Sequence, residues 1–126
     1  MKKYFSTSGI FIAVALAGIA FAPSVFAQDN CASVKFPEGQ DSAIIDGLAP
    51  ANDIVCYRLE TKIGQKITLK VLRGANTIFS VADVQDAEDH LTFTAQKLSY
   101  DINIGQLMRA ARPEKFRISI KRSGGV

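Results

Sequence analysis

The chain has 126 residues, 48% hydrophobic, 21% charged and 9% aromatic, which fits one globular domain and excludes a multidomain enzyme. Its formal charge is +3, but Lys2 and Lys3 supply two of the 15 basic residues, so residues 28–126 carry 13 against 12 acidic ones. That balance excludes the cationic excess that non-specific nucleic-acid binding requires, and no nucleic-acid partner is expected.

Residues 1–27 have the plan of a secretory signal peptide. Lys2 and Lys3 precede an uncharged apolar run from Gly9 to Ala22, then Pro23, and small Val25 and Ala27 stand ahead of Gln28. The run is shorter than the roughly 20 residues that span a bilayer, and no later stretch is apolar for as long, so no integral membrane association is expected. The folded domain is expected over residues 28–126, periplasmic or secreted, and soluble once the leader is removed. Cys31 follows Ala27-Gln28-Asp29-Asn30, whereas a lipoprotein needs its cysteine directly after the cleavage site.

Cys31 and Cys56 are the two cysteines, and an even count in a short exported chain reads first as a disulfide. A redox or zinc pair is the alternative, but the spacing is not CxxC and His90 is the single histidine.

From Cys31 onward the hydrophobic pattern has period two, with frequent turn residues, which predicts short strands. Ala32 to Phe36 and Ser42 to Asp46 are the first, weaker segments. Val55, Tyr57 and Leu59 then alternate with Cys56, Arg58 and Glu60, and Ile67, Leu69 and Val71 alternate with Lys66, Thr68 and Lys70. Thr77 to Ala82 and Leu91 to Ala95 are weaker again. Tyr100, Ile102 and Ile104 alternate with Asp101, Asn103 and Gly105, and Phe116, Ile118 and Ile120 with Lys115, Arg117, Ser119 and Lys121. Between them Pro37-Glu38-Gly39, Pro50 to Asp53, Ile63-Gly64-Gln65 and Arg73 to Asn76 supply turns. Gln106 to Arg112 fits either a helical turn or a loop crossing one end. The expectation is an all-β chain, a single antiparallel β-sandwich, jelly-roll-like, of seven or eight short strands. Its expected core is Val55, Tyr57, Leu59, Ile67, Leu69, Val71, Phe79, Val81, Phe93, Tyr100, Ile102, Phe116, Ile118 and Ile120.

Catalytic machinery is not legible. There is no GxSxG, GxxxxGK[ST] or GxGxxG, and only His90 is available to activate a hydroxyl. Asp83, Asp86, Glu88 and Asp89 lie in one short segment, either a solvated acidic loop or a set of oxygen ligands for calcium, though the spacing is not that of an EF-hand. No enzyme activity, metal or cofactor is expected. The remaining feature is charge at the C-terminal end: Arg109, Arg112, Lys115, Arg117, Lys121 and Arg122 are opposed only by Glu114. Lys115, Arg117 and Lys121 fall on the outward face of the last strand, suited either to an acidic partner or to a solvated face that serves solubility and discourages edge pairing.

Taken together, Ser42-Ala43-Ile44-Ile45-Asp46-Gly47, a loop with Asp53, Cys56-Tyr57-Arg58-Leu59, Gly64-Gln65-Lys66-Ile67-Thr68-Leu69 and the closing Phe116-Arg117-Ile118-Ser119-Ile120 resemble the bacterial pre-peptidase C-terminal domain. The resemblance implies a jelly-roll-like sandwich. In size, export and domain plan the chain is also similar to the periplasmic inhibitors of g-type lysozyme. Those inhibitors carry a Ser-Gly loop before an aromatic residue near the last strand. Here the stretch reads Ala111-Arg112-Pro113-Glu114-Lys115-Phe116, without Ser-Gly, so no residue of that loop transfers. The functional expectation is a non-enzymatic exported module that binds a protein or cell-wall glycan. The alternative is an inhibitor of a g-type-like lysozyme or related muramidase. Arg109, Arg112, Lys115, Arg117, Lys121 and Arg122 are the candidate contacts, and the sequence does not set the oligomeric state.

Overall fold

The computed structural model describes residues 30–124; the expected signal peptide lies outside the described residues. Alternating apolar residues form strands because a pleated chain sends successive side chains to opposite faces. Nine strands are described: β1 Ala32–Ser33, β2 Ser42–Ala49, β3 Val55–Glu60, β4 Gln65–Arg73, β5 Thr77–Val81, β6 Gln85–Glu88, β7 His90–Thr94, β8 Ser99–Gln106 and β9 Glu114–Gly124. They make a four-stranded sheet in the order β2-β9-β4-β7 and a five-stranded sheet in the order β1-β3-β8-β5-β6.

All the strand pairs are antiparallel except β1 with β3, where Ala32 pairs with Tyr57 and Ser33 with Arg58 in parallel. From β2 to β5 and from β6 to β9 the chain changes sheet at every connection, so the two sheets interleave along the sequence. Two sheets facing each other bury one side of each strand. Leu59, Ile67, Leu69, Phe79, Ile102, Ile104, Phe116, Ile118 and Ile120 fill the space between them with at most 1% exposure.

The count exceeds the expected seven or eight because β6 is an edge strand with no apolar face. Gln85-Asp86-Ala87-Glu88 pairs with β5 through Phe79↔Glu88 and Val81↔Gln85, on backbone hydrogen bonds that leave no mark in the hydrophobic pattern. Much of the expected acidic loop is therefore a strand. At the other edge the expected strand Ala32 to Phe36 shrinks to two residues, with Val34 donating its N–H to the Arg58 carbonyl at 2.9 Å. Ala43, Ile45, Ala49, Ala95 and Ile104 join the core, whereas Val55, Tyr57, Val71 and Phe93 are only half-buried against it.

Cys31, immediately before β1, is disulfide-bonded to Cys56 in β3, with Cα atoms 4.5 Å apart. The long β9 lies between β2 and β4 and hydrogen-bonds on both sides. Its charges therefore do not guard an edge, and that part of the reading is set aside.

Candidate functional site

Three connections meet at one end of the sandwich: 50–54 between β2 and β3, 74–76 between β4 and β5, and 107–113 between β8 and β9. The last is a loop without a helical turn, and its conformation is fixed by side chains beneath it. Asn76 is the central clamp. Its Oδ1 accepts the Met108 N–H at 2.9 Å, while its Nδ2 donates to the Met108 carbonyl and to Gln106 Oε1, both at 2.9 Å. The Asn76 carbonyl accepts the Leu107 N–H at 2.8 Å.

Gln106 fastens the far end of the loop. Its Nε2 donates to the Arg112 carbonyl at 2.9 Å and to the Ala49 carbonyl at 3.1 Å, which also ties the loop to the end of β2. Glu114 turns inward, accepting the Asn76 N–H at 3.0 Å and the hydroxyl of buried Thr77 at 2.8 Å. The carboxylate that formally opposes the C-terminal cations is thus spent on the clamp.

Two glycines make this packing possible. Gly74 has φ +110°, and a Cβ there would collide with the Thr77 side chain. A Cβ on Gly105 would stand 3.2 Å from both the Asp53 carbonyl oxygen and Ile54 Cγ2, so the bare backbone lets the 50–54 loop rest on the end of β8. Asp53 closes that loop by accepting the Ile54 N–H at 2.8 Å.

What this end displays is apolar and cationic. Leu107 is 62% exposed, Met108 67% and the neighbouring Ile54 56%, and Arg109 and Arg112 are exposed beside them. A shallow cleft of about 390 Å³ runs between the two loops, lined by Asp53, Ile54, Gln106, Leu107, Met108 and Arg109 among others.

The six sequence-predicted cations fall in three places. Arg109 and Arg112 lie on the clamped loop. Lys115, Arg117 and Lys121 stand on the outward face of β9, where Arg117 Nε meets Asp46 Oδ1 at 2.7 Å across the strand pair. Asp46 raises the Arg117 pKa further above its ordinary value, through this hydrogen bond first and its charge second. Arg122 turns the other way, over the Phe36 ring.

The remaining candidates do not converge. Among the described residues the carboxylates of 83–89 do not gather around one point; the one close cluster of metal-ligand types is Cys31, Cys56 and Asp101, whose two sulfurs are bonded to each other. Asp83 pairs with Lys97 at 2.9 Å and Gln85 donates to Glu88 at 3.2 Å. His90, at the exposed start of β7, stands opposite Lys70. Sequence reasoning missed the clamp of Asn76, Gln106, Thr77 and Glu114. The one visible hint was Leu107-Met108, an apolar pair outside any alternating strand.

The fold is an all-β sandwich with a hydrogen-bonded loop, 107–113, at one end. No known protein family and no curated protein sequence matches the chain, so the likeness to the pre-peptidase C-terminal domain is not carried by a family match. The fold does match solved structures of PliG, described as a periplasmic lysozyme inhibitor of g-type lysozyme. The protein from Aeromonas hydrophila has a TM-score of 0.64 at 22% identity, over 75% of this chain and 96% of that one. The Salmonella Typhimurium protein gives 0.61 at 17%, over 76% and 100%. A mutant of the Escherichia coli protein gives 0.56 at 21%, over 73% and 96%.

Proposed function

We propose that the protein is a non-enzymatic exported binding module, and specifically an inhibitor of a g-type-like lysozyme or related muramidase. The observation that carries this reading is the clamped 107–112 loop, presented at the end of a sandwich that shares its fold with three g-type lysozyme inhibitors. A muramidase cleft binds an extended glycan and aligns carboxyl groups on it for acid catalysis. Arg109 supplies a guanidinium suited to such a carboxylate, and Leu107 and Met108 supply surface to desolvate it. Because the loop is ordered before contact, little conformational entropy is lost on binding. The exposed aliphatic pair favours a protein partner over a cell-wall glycan, and a disulfide suits the oxidising compartment that export implies.

Lysis of cell-wall suspensions by purified c-type, g-type and i-type lysozymes, with the oxidised protein titrated in, tests the reading. Saturable inhibition of the g-type enzyme is expected. Arg109→Glu and the double variant Leu107→Ser/Met108→Ser should each weaken it by about tenfold or more without changing the melting temperature. No inhibition of any of the three enzymes overturns the inhibitor assignment, and inhibition untouched by both variants overturns the role of the loop.

A further inference from the structure

The outward face of the four-stranded sheet is open to solvent and strongly polarised in charge. β4 contributes Lys66 and Lys70, both exposed, and β9 contributes Lys115, Arg117 and Lys121. A register shift between Arg117 and Ile118 places exposed Arg73 opposite Arg117, adding a sixth cation. Asp46 is the single carboxylate on these strand faces, already engaged by Arg117. Between the cations lie small hydroxyl side chains, Ser42, Thr68, Ser119, Thr92 and Thr94, with Thr68 and Thr92 hydrogen-bonded at 3.2 Å.

Residues 30–124 hold 13 Lys and Arg against 11 Asp and Glu. With six of the cations and one of the acids on this face, the rest of the domain is net negative. The face also exposes aliphatics: Ile44 is 52% exposed, Leu48 55% and Leu72 51%. Leu48 pairs with Lys115 and Ile44 with Ser119, so they share the face with the cations rather than lying behind it.

We propose that this face docks the protein on an anionic lipid bilayer. Four strands at about 4.8 Å spacing give a platform roughly 15 Å wide. Its cations are spread over that plane rather than gathered around a point, as suits a charged surface more than a single bound anion. Adjacent Lys and Arg draw such a face to anionic headgroups within a Debye length. Ile44, Leu48 and Leu72 can then enter the interfacial layer, which a dissolved polyanion could not offer them. The clamped 107–112 loop lies at the end of the sandwich and not on this face, so docking leaves it free. The proposal therefore stands independently of the lysozyme reading.

Co-sedimentation of the purified oxidised protein with vesicles tests it, using phosphatidylcholine containing one third phosphatidylglycerol against phosphatidylcholine alone. Binding is expected only to the anionic vesicles and should be lost at roughly 0.5 M salt. Lys66→Glu/Lys70→Glu should lower the partition coefficient by about tenfold or more, and Ile44→Ser/Leu72→Ser should lower it severalfold, with unchanged melting temperature and circular dichroism in both. Absence of binding, equal binding to neutral vesicles, or insensitivity to Lys66→Glu/Lys70→Glu overturns the proposal. Capture of soluble polyglutamate that depends on Lys66 and Lys70 but not on Ile44 and Leu72 reassigns the face to an acidic protein and overturns it as well. Lysozyme inhibition by the same variants, read in parallel, separates failure here from failure of the inhibitor assignment.

Discussion

The Arg122 guanidinium lies 3.6 Å from the centroid of the Phe36 ring. From there its Nη1 donates to the Glu60 carbonyl at 3.0 Å, and its Nη2 stands 4.0 Å from Asp41 Oδ1. One side chain near the end of β9 thus pins the segment that follows β1 against the sandwich. The arrangement leaves Arg122 Nε buried without a partner among the described residues. A cation over an aromatic face gains about 0.5 to 2 kcal/mol depending on desolvation.

Arg122→Ala is accordingly expected to destabilise the fold by about 1–3 kcal/mol in denaturant unfolding. Arg122→Lys should recover part of the loss, since it keeps the charge but not the planar fork. A double-mutant cycle with Phe36→Leu should give a coupling of about 0.5–2 kcal/mol. Strictly additive single effects would contradict a direct contact.

Reduction of the disulfide should act on the same end of the chain. The bond joins residues 25 apart, and closing a loop of that length removes unfolded-state entropy worth about 3.5 kcal/mol. Cys31→Ser/Cys56→Ser is expected to lower stability by about 2–4 kcal/mol and to release the 31–36 segment first in amide exchange, because β1 contributes only two residues of pairing. An unchanged melting profile with two titratable thiols in the native protein would refute the bridge.

Asn76→Ala separates stability from binding. It removes the side-chain bonds to the Met108 N–H, the Met108 carbonyl and Gln106 Oε1, at a cost of about 1–2 kcal/mol because water can replace part of them. Glu114→Ala should cost about 2–3 kcal/mol, since it strands the buried Thr77 hydroxyl and the Asn76 N–H. In both variants inhibition should fall at temperatures where circular dichroism still shows a native fold. Full inhibition by the Asn76→Ala protein would show that loop order is not what the target reads.

The pair of Lys97 with Asp83 gives stability a dependence on alkaline pH. The Lys97 pKa is raised above its ordinary 10.5, first by the hydrogen bond from its ammonium to Asp83, which outweighs the opposing desolvation, with that residue's charge adding to it. A raised folded-state pKa contributes stability that is fully present below the unfolded value and is lost as pH rises through the folded one. The stability difference between the protein and Lys97→Met should therefore be flat from neutral pH to about pH 9 and shrink above about 10.5. Both partners are exposed, so the difference is small. Denaturant midpoints across that range provide the check, and a difference that grows with alkalinity would contradict the sign.

The sandwich was legible where one face of a strand is buried. Phe116, Ile118 and Ile120 alternate so regularly that β9 could be drawn from the pattern alone, and all three are buried. β6 could not, because Gln85 and Glu88 meet the β5 backbone through hydrogen bonds that any side chain permits. The clamp was hidden for a different reason. Asn76, Gln106 and Glu114 are 30 and 38 positions apart along the chain in their contacts, and they meet only because sheet topology brings the ends of β4, β8 and β9 together. Nor does charge order show that Arg122 faces inward while Lys121 beside it faces water.

The place of β9 also sets how the molecule comes into being. Until this last strand arrives, β2 and β4 share no partner, and β2 has no neighbour in its sheet at all. Without residues 114–124, β2 would be an unpaired ribbon, and β4, paired with β7 along one edge, would leave its other edge open. Pairings that join the start of the domain to its end are slow to form. Shortening the chain by its final strand would split one whole layer of the sandwich, and a nascent or clipped form should be a client for holdase chaperones rather than a smaller stable protein.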